Sequence, residues 1–216
     1  MRATTTIYGA LLLAAGLSGG CLQKDETETI YLGGAGVTWT AIEANVRSDE
    51  TPPARRVEEE RGFFAAADAG AHPTAQAFWR LGAQSVTTTW LRRDRPYAVM
   101  TDARFADLRL LAESILREAG LHGTVTLTRN ACQTTFGVRL DMDADTATPA
   151  DSDVGGLATA LESYKFVLTD GHFVSADGFN IGDDRTIAVP DTKKIPVDGV
   201  LTLSLAWVAE ACGSGA

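Results

Sequence analysis

Three histidines, His72, His122 and His172, are the side chains of this sequence best suited to proton transfer near neutral pH or to holding a transition metal. They are isolated from one another and none sits in an H-E-x-x-H pattern, so a zinc site would have to be assembled entirely by the fold. His172, close to Asp170, reads as a turn residue and not as an acid–base group. The acids Asp141, Asp143, Asp145, Asp151 and Asp153 have the alternate spacing by which hard cations gather carboxylates. Thr146 stands where the sharp turn of such a loop needs glycine, and Ser152 where a bidentate glutamate belongs, so the run reads as an acidic loop. Gly16-Leu17-Ser18-Gly19-Gly20 matches G-x-S-x-G by letter, but it lies in an apolar N-terminal segment and follows no sheet strand. The expectation is no catalytic residue, no metal and no cofactor.

The N-terminal segment carries chemistry of another kind. Arg2 and the amino group give a positive start, Ile7 to Leu17 is apolar, and no acid occurs before Asp25. This is the layout of a secretory signal. Ser18 and Gly20 supply the small side chains that a signal peptidase admits at the third and first positions before its cut, here before Cys21. The stretch resembles the lipobox of bacterial lipoproteins, with Ser18 in the position usually held by leucine and Leu17 one residue further back. The resemblance covers residues 1–21. It implies a signal peptide over 1–20 and a mature N-terminal Cys21 that carries a diacylglyceryl group on sulfur and a further acyl chain, such as palmitate, on nitrogen. Each buried CH₂ contributes about 0.8 kcal/mol, so two or three chains would hold the protein on a membrane essentially permanently. The implied address is the cell envelope. Leu22 lacks the aspartate that retains some lipoproteins at the inner membrane, which favours the outer membrane in a Gram-negative cell.

Composition bounds the remainder. Removing residues 1–20 from 216 takes away one of 19 basic residues and none of 28 acids, so the mature charge is −10. A chain this acidic is repelled by nucleic acid and by anionic head groups, so nucleic acid is not an expected partner. Hydrophobic content of 45% and charged content of 22% are ordinary for a globular domain. With Cys21 consumed by lipid, Cys132 and Cys212 remain as an even pair in a compartment that permits a disulfide.

The elements follow from periodicity. Residues 21–28 read as a polar, acidic tether, and 29–216 as a single domain. Thr29–Leu32 and Val37–Val46 are β-rich runs around a Gly33-Gly34-Ala35-Gly36 turn, which lacks the spacing of a nucleotide loop. Pro52-Pro53 opens a helix whose Glu58, Glu59 and Glu60 complement its positive end and whose Phe63, Phe64 and Ala67 face the core. His72-Pro73 breaks it, and a second helix with Ala77, Phe78 and Leu81 stops at Gly82. Ser85–Leu91 and Tyr97–Thr101 form a hairpin with Arg92, Arg93 and Arg95 at its tip. A helix through Phe105, Leu108, Ala112, Ile115 and Ala119 ends at Gly120. Gly123–Arg129 and Thr134–Met142 form another hairpin, and a short helix runs through Leu157 and Leu161. Tyr164–Val189 reads as a meander with a hairpin at Asp170-Gly171, and Gly199–Val208 as a half-buried strand.

Strands that alternate with helices in this order predict an α+β fold: an antiparallel sheet built of hairpins with three or four helices on one face. In general layout the mature part resembles uncharacterised envelope lipoproteins, a resemblance that carries no activity. The function expected is a non-catalytic binding or scaffold module, with an envelope protein or a glycan as partner. The exposed contact would be Arg92, Arg93, Arg95 and Tyr97, since Arg and Tyr are enriched where partners dock. A carrier that shelters an amphiphile between sheet and helices is the alternative, and a hydrolase with a fold-assembled site the third.

Overall fold

A computed structural model describes residues 22–34, 36–141, 164–194 and 199–210. The N-terminal segment, Cys21, the acids from Asp143 to Asp153, the helix expected through Leu157 and Leu161, and Cys212 lie outside the described residues. The chain divides between Asp107 and Leu108 into two compact units, a boundary that periodicity did not mark. Both are antiparallel sheets with helices, an α+β architecture.

In the first unit, β1 (Leu22–Gly33) and β2 (Gly36–Ser48) form a long hairpin that closes at Gly33 opposite Gly36. Gly36 has φ +116°, and a Cβ there would lie 2.8 Å from the Phe105 carbonyl oxygen, so only glycine fits. After α1 (Pro53–Asp68) and α2 (Pro73–Arg80), β3 (Ser85–Arg92) and β4 (Tyr97–Phe105) complete a sheet in the order β3–β4–β2–β1. Each helix starts with proline in its first turn, where the missing N–H is no loss. α1 stops at Gly70, φ +63°, with the Ala71 N–H donated back to the Ala66 carbonyl at 2.8 Å. α1 packs on β2 and α2 on β3 and β4. Under α2 the rings of Trp39, Phe78 and Phe105 meet with centroids 5.0–6.3 Å apart, and under α1 Val46, Phe63, Ala67 and Val99 close a second apolar cluster.

Three sequence expectations change here. The segment read as a tether, 21–28, is instead the first half of β1 from Leu22 onward, with Glu26 opposite Glu43 and Glu28 opposite Ala41. Lys24, Glu26 and Glu28 sit in the same two-residue alternation as Ile30 and Leu32, and a tether has no reason to keep that period. Phe105 is the last residue of β4 and not the start of a helix. The first turn of α1 holds no acid, and Glu60, expected at its polar end, is buried.

The second unit opens with α3 (Leu108–Glu118), then the hairpin β5 (Gly123–Asn130) and β6 (Gln133–Asp141). β7 (Tyr164–Leu168), β8 (His172–Asp177), β9 (Phe179–Ile181), β10 (Ile187–Pro190) and β11 (Val200–Val208) follow. One sheet runs β5–β6–β11–β8, and β7–β10–β9 form a second set of paired strands. Leu201, Leu203 and Leu205 on β11 face the core beside Phe136 and Leu140.

The hairpin expected at Asp170-Gly171 does not form. β7 pairs with β10, while β8 pairs with β11, so the chain changes sheets at this turn. Gly171 has φ +96°, and a Cβ there would fall 1.9 Å from the Val208 carbonyl oxygen. The dipeptide therefore serves a close approach to β11, a tertiary demand that local turn chemistry does not reveal.

Candidate functional site

The chemistry that the sequence left dispersed converges under the helices of the first unit. His72 lies in the link between α1 and α2, held extended (ψ 163°) because the next residue is Pro73. This aims its ring down at the sheet, edge-on to Phe63. His72 Nε2 faces Glu43 Oε2 of β2 at 3.2 Å and Thr101 Oγ1 of β4 at 3.0 Å. Nε2 thus lies within reach of both oxygens, and Nδ1 has no partner. Lys24 Nζ of β1 pairs with the other oxygen of Glu43 and lies 3.3 Å from Glu26 Oε2. One strand position further along β1, buried Glu28 accepts the Trp39 indole N–H at 2.5 Å.

A bulge makes this convergence possible. The β1–β2 register shifts between Gln23 and Asp25, and the β2–β4 register shifts between Glu43 and Val46. Asn45 takes φ +53°, which asparagine tolerates better than most residues, and its amide donates to Asp25 at 2.6 Å. The extra residue lets both Glu43 and Val46 point beneath the helices although they are three apart.

Burial and pairing compete in the cluster's electrostatics. His72 and Glu43 are 0% and 2% exposed. Burial alone would push the Glu43 carboxyl up, but the His72 hydrogen bond and the Lys24 charge outweigh it and hold it down at about 2. Burial pushes Lys24 down, and Glu43 and Glu26 together raise it above its ordinary value. Glu26 is raised, first by burial, with the Lys24 charge only partly opposing. A carboxylate–imidazole pair of this kind can orient a ring for proton transfer. Here the ring is closed off from solvent, so the arrangement ties the α1–α2 link to three strands.

The predicted partner-binding residues are brought together, and the charges of Arg93 and Arg95 are paired. Arg93 pairs with Asp68 and lies 5.5 Å from the ring centroids of both Phe64 and Trp90. Arg95 pairs with buried Glu60, and Arg92 donates to the Asn45 side-chain oxygen at 3.2 Å. Tyr97 completes an aromatic group with Trp90 and Phe64. Tip exposure was legible from the turn, whereas Asp68, Glu60 and Phe64 come from α1 and Asn45 from β2, all distant in the chain.

Cys132, exposed in the β5–β6 turn, is disulfide-bonded. His122 and His172 are exposed and far from each other in the strand ladders. Among the described residues no three His, Cys, Asp or Glu side chains gather as a metal site, and no helix is long and apolar enough to cross a membrane. Sequence reasoning missed Lys24, Glu26 and Glu43. The available signal was their alternation in step with Ile30 and Leu32 on one strand and with Trp39 and Ala41 on the other.

Fold and site together define an α+β protein with an ion cluster buried between sheet and helices. No protein-family model matches the chain, and no curated protein matches it in sequence. Among solved structures it is similar to the folded domain of the LppM protein of Mycobacterium tuberculosis, with 17% identity, a TM-score of 0.38, and coverage of 90% of this chain and 94% of that one. It also matches the Fcho1 Mu homology domain of Danio rerio, solved with a bound Eps15 peptide, at 12% identity and a TM-score of 0.20, over 89% of this chain and 81% of that one. Similarity at this level carries no functional argument.

Proposed function

We propose that the chain is an exported, lipid-anchored module of the bacterial envelope that works by binding and not by turnover. The observation that carries this reading is the apolar Ile7–Leu17 segment closing on Ser18-Gly19-Gly20 directly before Cys21. Its non-catalytic part is supported by the site: the imidazole and carboxylate best placed for acid–base work, His72 and Glu43, are shut beneath the helices, and Cys132 is already oxidised. The partner is an envelope protein or a glycan.

The three cysteines divide accordingly. Cys132 pairs with Cys212 in this proposal, which leaves Cys21 for lipid. Support comes from β11, which ends beside the β5–β6 turn: Val208 is opposite Gln133, and the Ala209 N–H donates to the Cys132 carbonyl at 3.3 Å. Cys212 follows Ala209 by three residues in the sequence.

Two measurements test the reading. Cys21→Ser should move the protein from membranes to the soluble fraction and abolish incorporation of labelled acyl chains; wild-type protein without acyl label would end it. Non-reducing peptide mapping should recover a 132–212 crosslink, and a 21–132 crosslink would overturn the assignment of both cysteines.

A further inference from the structure

The tether that the sequence promised is absent, since β1 begins at Leu22 and Leu22 is already paired opposite Ser48. Consecutive Cα atoms are about 3.8 Å apart, so lipid on Cys21 would emerge within a few ångströms of the end of the sheet. We propose that this end of the first unit is seated directly on the phospholipid head-group surface, with the Arg92–Tyr97 turn and the end of β2 as its contact. The inference rests on acylation at Cys21 and adds to it an orientation and a set of contact residues.

Sheet order places the contact. At the Cys21 end, Leu22 of β1, Ser48 of β2, Tyr97 at the start of β4 and Arg92 at the end of β3 occupy successive strands. Strands lie about 4.8 Å apart, so Arg92 is about 15 Å from Leu22 across the sheet. Nothing along that path offers slack, so an anchor on β1 holds these neighbouring strand ends near the surface.

The side chains at this edge suit head groups. Arg47 and Arg92 hydrogen-bond only to the side-chain oxygens of Gln23 and Asn45, at 3.4 and 3.2 Å. Among the described residues no carboxylate neutralises either guanidinium, and each side chain is exposed where a phosphate can meet it. Leu91 is 52% exposed beside them. Trp90 and Tyr97 have apolar bodies packed on Phe64 and polar tips, the amphipathic pattern favoured at membrane interfaces. Asp49 and Asp94 share this end, so the attraction is not a long-range field. With a Debye length of about 8 Å, the overall negative charge of the chain is screened over its own dimensions, and only groups at the edge meet the phosphates. The anchor supplies proximity, and the arginines set the tilt.

The test uses full-length protein processed in cells, with its acyl groups confirmed by intact mass. It is placed in nanodiscs of phosphatidylcholine and phosphatidylglycerol doped with a gadolinium-chelating lipid. Amide signals of Leu22, Arg47, Ser48 and Leu91–Tyr97 should broaden. Those of Gly33–Gly36, about 36 Å away along the hairpin, should not. Replacing Arg47→Gln together with Arg92→Gln should abolish the broadening at Leu91–Tyr97 and leave it at Leu22. A mass spectrum without acyl groups removes the lipid reading and the seat together. Acylated protein whose broadening is uniform, or strongest at Gly33–Gly36, removes the seat alone, and a double variant indistinguishable from wild type removes the arginine contact.

Discussion

The first unit buries Glu28, Glu43, Glu60 and His72 among its aromatic rings, whereas the buried side chains of the second, among the described residues, are apolar or aromatic: Phe136, Leu140, Tyr164, Leu168, Phe173, Phe179 and the leucines of β11. The units also differ in what specifies strand register. In the second, Leu201, Leu203 and Leu205 alternate so regularly that any even shift would bury an equivalent face. Cys132, beside the end of β11, is disulfide-bonded, and the proposed link to Cys212 would tie the register down. In the first, Glu43 finds Lys24 and His72 at a single register, and any other would strand a buried charge. The comparison teaches that ions can do for one sheet what a crosslink does for another.

The largest expected effect tests the crosslinked side of this contrast. With Cys132 joined to Cys212 across 80 positions, Cys132→Ser should destabilise the second unit by about 4–5 kcal/mol in the chain-entropy model. Residue-level hydrogen exchange should show lost protection on β6 and β11, with β2 and β4 unchanged. Equal loss in both units would erase the distinction.

Next in size is the ionic side. Glu43→Leu removes one partner of a buried group, leaving Lys24 with Glu26 alone and the His72 ring without its carboxylate, so stability measured by urea unfolding should fall by about 3–5 kcal/mol. Replacing Lys24→Met, Glu26→Gln, Glu43→Leu and His72→Leu together should recover most of that loss, because no unpaired charge remains. If the quadruple variant is as unstable as the single one, packing and not pairing accounts for the cluster.

Acid should separate the units by about 3 kcal/mol. The folded pKa of Glu43 is depressed from 4.5 to about 2, so its contribution is complete above about 4.5 and is lost as pH falls toward 2. Glu26 is raised by burial; its ionised form costs stability near neutrality, and that cost disappears as it takes up a proton, which partly offsets the loss. Lys24 is raised, so its contribution holds below 10.5 and goes as pH rises through the folded value. Hydrogen exchange at pH 5, 4 and 3, each pH value being about one unit apart, should weaken β1, β2 and β4 before β6 and β11. The reverse order would contradict the assignment.

The smallest effects distinguish arginines that look alike in sequence. Arg95 pairs with a buried carboxylate, and its own side chain is half exposed, so Arg95→Ser should cost about 1–2 kcal/mol by leaving Glu60 unpaired. Arg93 pairs with exposed Asp68 and rests on the half-buried rings of Phe64 and Trp90, and Arg93→Ser should cost less than about 1 kcal/mol. Thermal melts of the two variants side by side would show it, and equal shifts would mean that Glu60 does not need its partner.

Most strands and helices, the hairpins at Gly33–Gly36 and at Arg92–Pro96, and the α+β class were determined by the sequence itself, because alternation and proline or glycine punctuation act within a few residues. Only the tertiary structure decided that Lys24 and Glu26 belong to a strand and not to a tether, that isolated His72 meets Glu43, and that Asp170-Gly171 leads out of one sheet into another. Each of these depends on which distant strand lies alongside. Pairing free energy between segments far apart in the chain, unlike local periodicity, leaves no mark on the residues nearby.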